Sequence, residues 1–156
     1  MNYLLIGGAP SVGKSESIYK LAQTLLTPAR GFTIITGIFP PIINDFKIVI
    51  EGIDKSGVKI KILINSGTDN KKIIENFKNF HDVNKPFDII ISSVRDISNP
   101  RIDFFSIMKI STADIIVEIP LAKVRRGKTR TTALIWYQDK LDALILNTIS
   151  NAPFNL

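Results

Sequence analysis

Residues 8 to 15 read Gly8-Ala9-Pro10-Ser11-Val12-Gly13-Lys14-Ser15, two glycines at fixed spacing followed by a lysine and a hydroxyl. That set of residue types can hold phosphate. Glycines let the backbone turn its N–H groups inward, where a side chain would collide with the anion. Lys14 can reach the outer phosphates of a nucleotide, and the Ser15 hydroxyl can ligate Mg²⁺. The residues expected to hold the phosphates are Gly8, Ser11, Val12, Gly13, Lys14, Ser15 and Glu16, with Val12 and Glu16 contributing backbone N–H groups only. Such a cradle needs a strand before it and a helix after it. The apolar run Tyr3-Leu4-Leu5-Ile6 supplies the strand, and a helical pattern over residues 15–26 supplies the helix, whose N-terminus adds partial positive charge at the same point.

In this strand–loop–helix context the motif resembles the Walker A sequence of the P-loop nucleoside triphosphatase superfamily. The resemblance covers about eight positions and implies a nucleoside triphosphate with Mg²⁺ as ligands. Two branches offer further likeness. Asn65-Ser66-Gly67-Thr68-Asp69, after a hairpin, looks like the switch segment of Ras-like GTPases, but the glycine falls one position early and Asn65 stands where that family has aspartate. The guanine-reading Asn/Thr-Lys-x-Asp is also missing, since Asn84-Lys85-Pro86-Phe87 carries phenylalanine at its last position. ATP is therefore expected over GTP. Ile91-Ser92-Ser93-Val94-Arg95-Asp96 is similar to the strand end that binds substrate in gluconate-type and sulfate-activating kinases.

The metal-holding carboxylate that a P-loop enzyme places at a strand end is not obvious. The strand through Ile62-Leu63-Ile64 ends in Asn65, and that at 89–91 ends in Ser92-Ser93; Asp69 and Asp96, a few residues beyond strand ends, are the best substitutes. Lys123, Arg125, Arg126, Lys128 and Arg130 crowd one loop around Gly127. The kinase resemblance implies an arginine-bearing lid there, forking onto phosphate oxygens. The catalytic set expected on this reading is Lys14, Asp69, Asp96, Arg126 and Arg130, acting in phosphoryl transfer to a small molecule or nucleotide. The alternative is a nucleotide-dependent switch or binding protein with little hydrolysis, in which the basic loop and the hairpin contact a partner. The loop then either stays solvated or meets nucleic acid, with Trp136 and Tyr137 stacking a base; packing within the last helix is the expectation for both aromatics. If the strand at 60–65 lies beside the P-loop strand, Asn65→Asp should raise hydrolysis.

The net charge of +6 suits an anionic ligand. With no cysteine, disulfides and cysteine-ligated metals are excluded. The single histidine, His81, reads as a solvated loop residue between a helix and a strand. No segment is apolar for the about 18 residues a membrane helix needs, and no basic leader precedes the first strand, so a cytoplasmic protein is expected.

The remaining elements alternate. Strands are expected at 32–39, 46–53 and 58–65, the last two joined by Asp54-Lys55-Ser56-Gly57 as a hairpin, with the apolar end of the second entering the sheet beside the P-loop strand. A short helix follows at 71–77, then a strand at 87–93. A helix begins at Asn99-Pro100 with Ile102, Phe105 and Ile110 facing the core. The last strand covers 114–119, and a helix from about 131 to 149 presents Leu134, Leu141, Leu144, Ile145 and Thr148 on one face. The pattern predicts one P-loop-like domain over 1–156. Its fold class is a three-layer α/β/α sandwich with a mainly parallel sheet, the P-loop after the first strand and one inserted β-hairpin.

Overall fold

Strand β1 (Asn2–Gly8) is buried from Tyr3 to Gly8, and its alternating side chains feed two separate cores. Leu4 and Ile6 point to one, Tyr3 and Leu5 to the other, as period-two geometry requires of a strand covered on both faces. The computed structural model describes residues 1–97, 99–124 and 130–156, without the Arg130 side chain. The other elements are α1 (Lys14–Leu25), β2 (Thr33–Gly37), β3 (Lys47–Ile53), β4 (Lys59–Asn65), α2 (Lys71–Asn84), β5 (Ile89–Arg95), α3 (Asn99–Met108), β6 (Ile115–Pro120) and α4 (Arg130–Ile149). The sheet has six strands in the order β2-β3-β4-β5-β1-β6. β4, β5, β1 and β6 run parallel, while β3 pairs antiparallel with both β2 and β4. Helices α1 and α4 cover one face and α2 and α3 the other, giving the expected three-layer α/β/α sandwich.

The hairpin strand does not join the P-loop strand. β4 pairs with β3 and β5, and β5 lies between β4 and β1. The wholly apolar Ile62-Leu63-Ile64 reflects burial between two strands and two helix layers, a condition any central position satisfies.

Three helices differ in extent or facing from the expectation. α2 runs on to Asn84, started by the Asn70 side chain accepting the Ile73 N–H at 3.0 Å and stopped at Lys85, which is extended ahead of Pro86. His81 thus lies in the last helical turn, not in a loop. Its side chain is 12% exposed and its ring rests 5.4 Å from that of Phe87. In α3 the buried residues are Phe104 and Met108, while Ile102 is 69% exposed and Phe105 and Ile110 pack only at the margin. Phe104 stacks parallel to Phe77 of α2 at 6.4 Å, and this contact sets the rotation of α3. In α4 the ridge facing the core is Leu141, Ile145 and Ile149, spaced i, i+4, i+8; Leu134 and Leu144 lie outward. Tyr137 packs at the core edge as expected, whereas Trp136 is 62% exposed.

Candidate functional site

The parallel strands all end at one edge of the sheet. β1 ends at Gly8 opposite Arg95 of β5, Gly7 lies opposite Pro120 of β6, and Asn65 of β4 lies opposite Ser92. Loops leaving the carboxyl ends of such strands are where α/β sheets bind ligands. β3, running the other way, starts at this edge with Lys47 against Asn65, which carries Asp45 to the same place.

The loop after β1 has the backbone its sequence requires. Gly8 and Gly13 hold φ of 153° and 98°, and a Cβ on Gly8 would fall 2.9 Å from Val12 Cγ2. Ser11 holds φ 59°, a left-handed conformation that a side chain rarely adopts. Gly13 caps α1 with no side-chain hydrogen bond, so no cap side chain takes the first-turn N–H groups. Lys14 is 7% exposed and folds back over the loop, its Nζ donating to the carbonyls of Gly8 at 2.8 Å and Ala9 at 2.7 Å. Burial pushes its pKa below the ordinary lysine value. The Arg95 charge adds to the shift, and Asp69 and Asp96 oppose it.

Ser15 Oγ lies within hydrogen-bond reach of Asp45 Oδ1, at 3.1 Å, and of the Ser66 carbonyl, at 3.2 Å. Asp45 is therefore the carboxylate beside the cradle hydroxyl. Sequence reasoning missed it because it comes before a strand that runs opposite to the others, and only the antiparallel pairing of β3 brings it here. Asn65 does not fill that place. It is buried, and its Nδ2 donates to the Gly67 carbonyl at 2.9 Å and to Ser92 Oγ at 3.1 Å, while Thr68 and Ser93 hydroxyls meet at 2.9 Å. The row of neutral residues is a satisfied buried network that shapes the 66–69 loop.

A cleft of about 400 Å³ opens over the cradle, lined by Pro10, Ser11, Gly13, Lys14, Ser15, Glu16, Asp69 and Arg95. Asp69 thus reaches the cleft, but its carboxylate is paired with Arg95, Oδ1 to Nη2 at 2.7 Å. Asp96 is exposed and does not line the cleft; only its field reaches Lys14. Arg125, Arg126 and Lys128, and the side chain of Arg130, lie outside the described residues, so the lid expectation does too. A second cleft of about 790 Å³ adjoins the first, with Ser11, Val12, Gly13 and Glu16 on one wall and residues from 122–124 and α4, including Lys123 and Tyr137, on the other. The Tyr137 hydroxyl accepts the Ala122 N–H at 2.7 Å and so ties the 120–124 loop to α4.

Arg101 completes the framework. It forks onto Glu118 at 2.8 and 2.7 Å, lies over the Phe105 ring, and donates to the Arg95 carbonyl at 3.1 Å. Gly7 faces Glu118, and a Cβ there would collide with the carboxylate. Among the described residues no group of three or more His, Asp or Glu could hold a metal through the protein alone, and no helix is long and apolar enough to cross a membrane. No family model, no curated protein and no solved structure matches this chain.

Proposed function

We propose that the chain binds a Mg²⁺–nucleoside triphosphate on residues 8–16 and transfers its terminal phosphoryl group to a small molecule or nucleotide. The observation that carries this is the buried Lys14 beside the Ser15–Asp45 oxygen pair, at a helix start with no side-chain cap. A hydroxyl and a carboxylate at this separation suit a hard cation that takes its remaining ligands from phosphate and water. Ser15 and Asp45 would hold Mg²⁺, which when bound neutralises charge on the phosphates. Lys14 exchanges the Gly8 and Ala9 carbonyls for phosphate oxygens, and the first-turn N–H groups of α1 take others. The adjoining cleft along Val12, Lys123 and Tyr137 has room for a nucleoside. ATP is favoured over GTP because the guanine-reading motif is missing.

A second reading is a nucleotide-controlled binding protein. Its support is the segment between β2 and Asp45, where Ile38, Ile42 and Ile43 are 85%, 75% and 53% exposed. Titration calorimetry with ATP and GTP, on the wild type and Lys14→Ala, tests the binding claim: binding lost in the variant is expected, and no binding by the wild type sinks it. A screen of sugars, nucleosides and nucleotides for ADP release separates transferase from switch, since the transferase must turn over with at least one acceptor class.

A further inference from the structure

Arg95, the last residue of β5, lines the cleft. Its backbone is fixed, because β5 pairs it with Gly8 and Arg101 holds its carbonyl at 3.1 Å. Its side chain is 14% exposed and carries one nitrogen, Nη1, that is buried without a hydrogen-bond partner among the described residues. An orphaned guanidinium nitrogen costs free energy unless a ligand satisfies it. The other nitrogen, Nη2, is held by Asp69 at 2.7 Å, and Asp69 is itself 55% exposed. Arg95 and Lys14 bring two cations to one cleft, with Asp69 as the counter-charge. Asp69 reaches Arg95 from the 66–69 loop, whose backbone the Asn65 and Thr68 network fixes from below.

Resting on the triphosphate reading above, we propose that the Arg95–Asp69 ion pair distinguishes nucleoside triphosphate from diphosphate. The terminal phosphate displaces the Asp69 carboxylate and takes both terminal nitrogens of Arg95. Asp69 is then a positioning residue that keeps the guanidinium aimed across the cleft until that phosphate arrives. The exchange is an ion-pair substitution, with no bond made or broken in the protein. A phosphate oxygen pair matches the guanidinium fork better than one carboxylate oxygen does, and it satisfies Nη1 as well. A diphosphate on the same cradle keeps its contacts with Lys14 and the α1 N-terminus and leaves Arg95 on Asp69.

The test measures ATP and ADP affinity, each with Mg²⁺, by calorimetry on the full chain. Arg95→Gln should weaken ATP by about tenfold or more, the usual scale of a charge-assisted contact, and leave ADP unchanged. Arg95→Lys should recover part of the loss, since it restores charge without the fork. Asp69→Asn, an exposed change that should not disturb folding, should tighten ATP and not ADP. Equal effects on both nucleotides, or no effect of Arg95→Gln, would overturn the inference and leave the binding reading standing. Weakened ATP binding in Asp69→Asn would also overturn it, making Asp69 a ligand-side group. If the wild type binds neither nucleotide, both readings fall together.

Discussion

Asp45 Oδ1 stands 3.1 Å from Ser15 Oγ across 30 residues of sequence, and the contact exists only because β3 runs against the parallel strands. On the proposed reading, a carboxylate there would do for the Ser15 hydroxyl what a strand-end aspartate does in a P-loop enzyme. It arrives from the sheet's antiparallel flank rather than from β4 or β5. The path to it crosses the aromatic cluster of Tyr19, Phe39 and Phe46, with Tyr19 and Phe39 stacked at 4.7 Å, so the 38–45 segment is anchored at Phe39.

Asp45→Asn tests this role. The change keeps the shape and removes the charge. It should reduce the gain in ATP affinity that Mg²⁺ provides by about tenfold or more, as loss of a metal partner usually does. ATP affinity in EDTA should be unchanged. Because Asp45 is exposed, folding stability should move by less than about 0.5 kcal/mol in urea denaturation. An intact Mg²⁺ effect in the variant would remove Asp45 from the metal site.

Most of the fold was legible because its signals are local. The Gly8–Ser15 pattern needs a strand before and a helix after, and both are there. The hairpin 54–57 was readable from its turn residues. What local pattern cannot reveal is strand order, since Ile62-Leu63-Ile64 is equally apolar beside β1 or beside β5. The facing of α3 and α4 was missed for a related reason. Apolar residues occur around much of both helices, so Ile102 and Leu144 compete on paper with Phe104 and Ile149, and tertiary contact with Phe77 and the sheet decides. The site divided along the same line. Residues 8–16 form one continuous segment that can be read together from the sequence, while the approach of Asp45 to Ser15 and the orientation of Arg95 depend on topology.

Asn65→Asp should not create an aspartate-type catalytic site. β5 separates β4 from β1, and the Asn65 amide is already spent on Gly67 and Ser92. A carboxylate cannot donate to the Gly67 carbonyl, and its charge would be buried against it. The expected result is a loss of about 1–3 kcal/mol of stability with no gain in phosphate release. Urea denaturation and a phosphate-release assay on the same preparation read both outcomes. A variant of unchanged stability that hydrolyses faster would contradict this reading of the Asn65 network.

His81 offers a clean titration, since it is the only histidine. Burial pushes its pKa below the ordinary 6.5, and the Asp82 carboxylate 3.0 Å from Nδ1 only partly offsets this. The unfolded chain therefore binds the proton more readily between the lowered value and 6.5. Stability from neutral His81 is fully present above 6.5 and declines as pH falls toward the folded value. A proton NMR titration of the single imidazole should give a midpoint below 6.5. A midpoint above it would mean that Asp82, not burial, governs the ring.

Lys14 yields a pH signature of opposite sign for folding and for binding. Burial, with Arg95, lowers its pKa below 10.5. Between that lowered value and 10.5 the unfolded chain holds a proton that the folded, empty protein lacks, so the Lys14 contribution to stability rises with pH in this window. On the proposed reading, triphosphate binding needs the protonated amine. ATP affinity should fall as pH rises through the lowered value, before an unperturbed lysine would titrate. Bound phosphate favours the ammonium, so binding in that range should take up protons from buffer. Calorimetry in two buffers of different ionisation enthalpy measures the uptake directly. Lys14→Ala should abolish both the uptake and the alkaline fall. A fall that persists in the variant would assign the effect to another group.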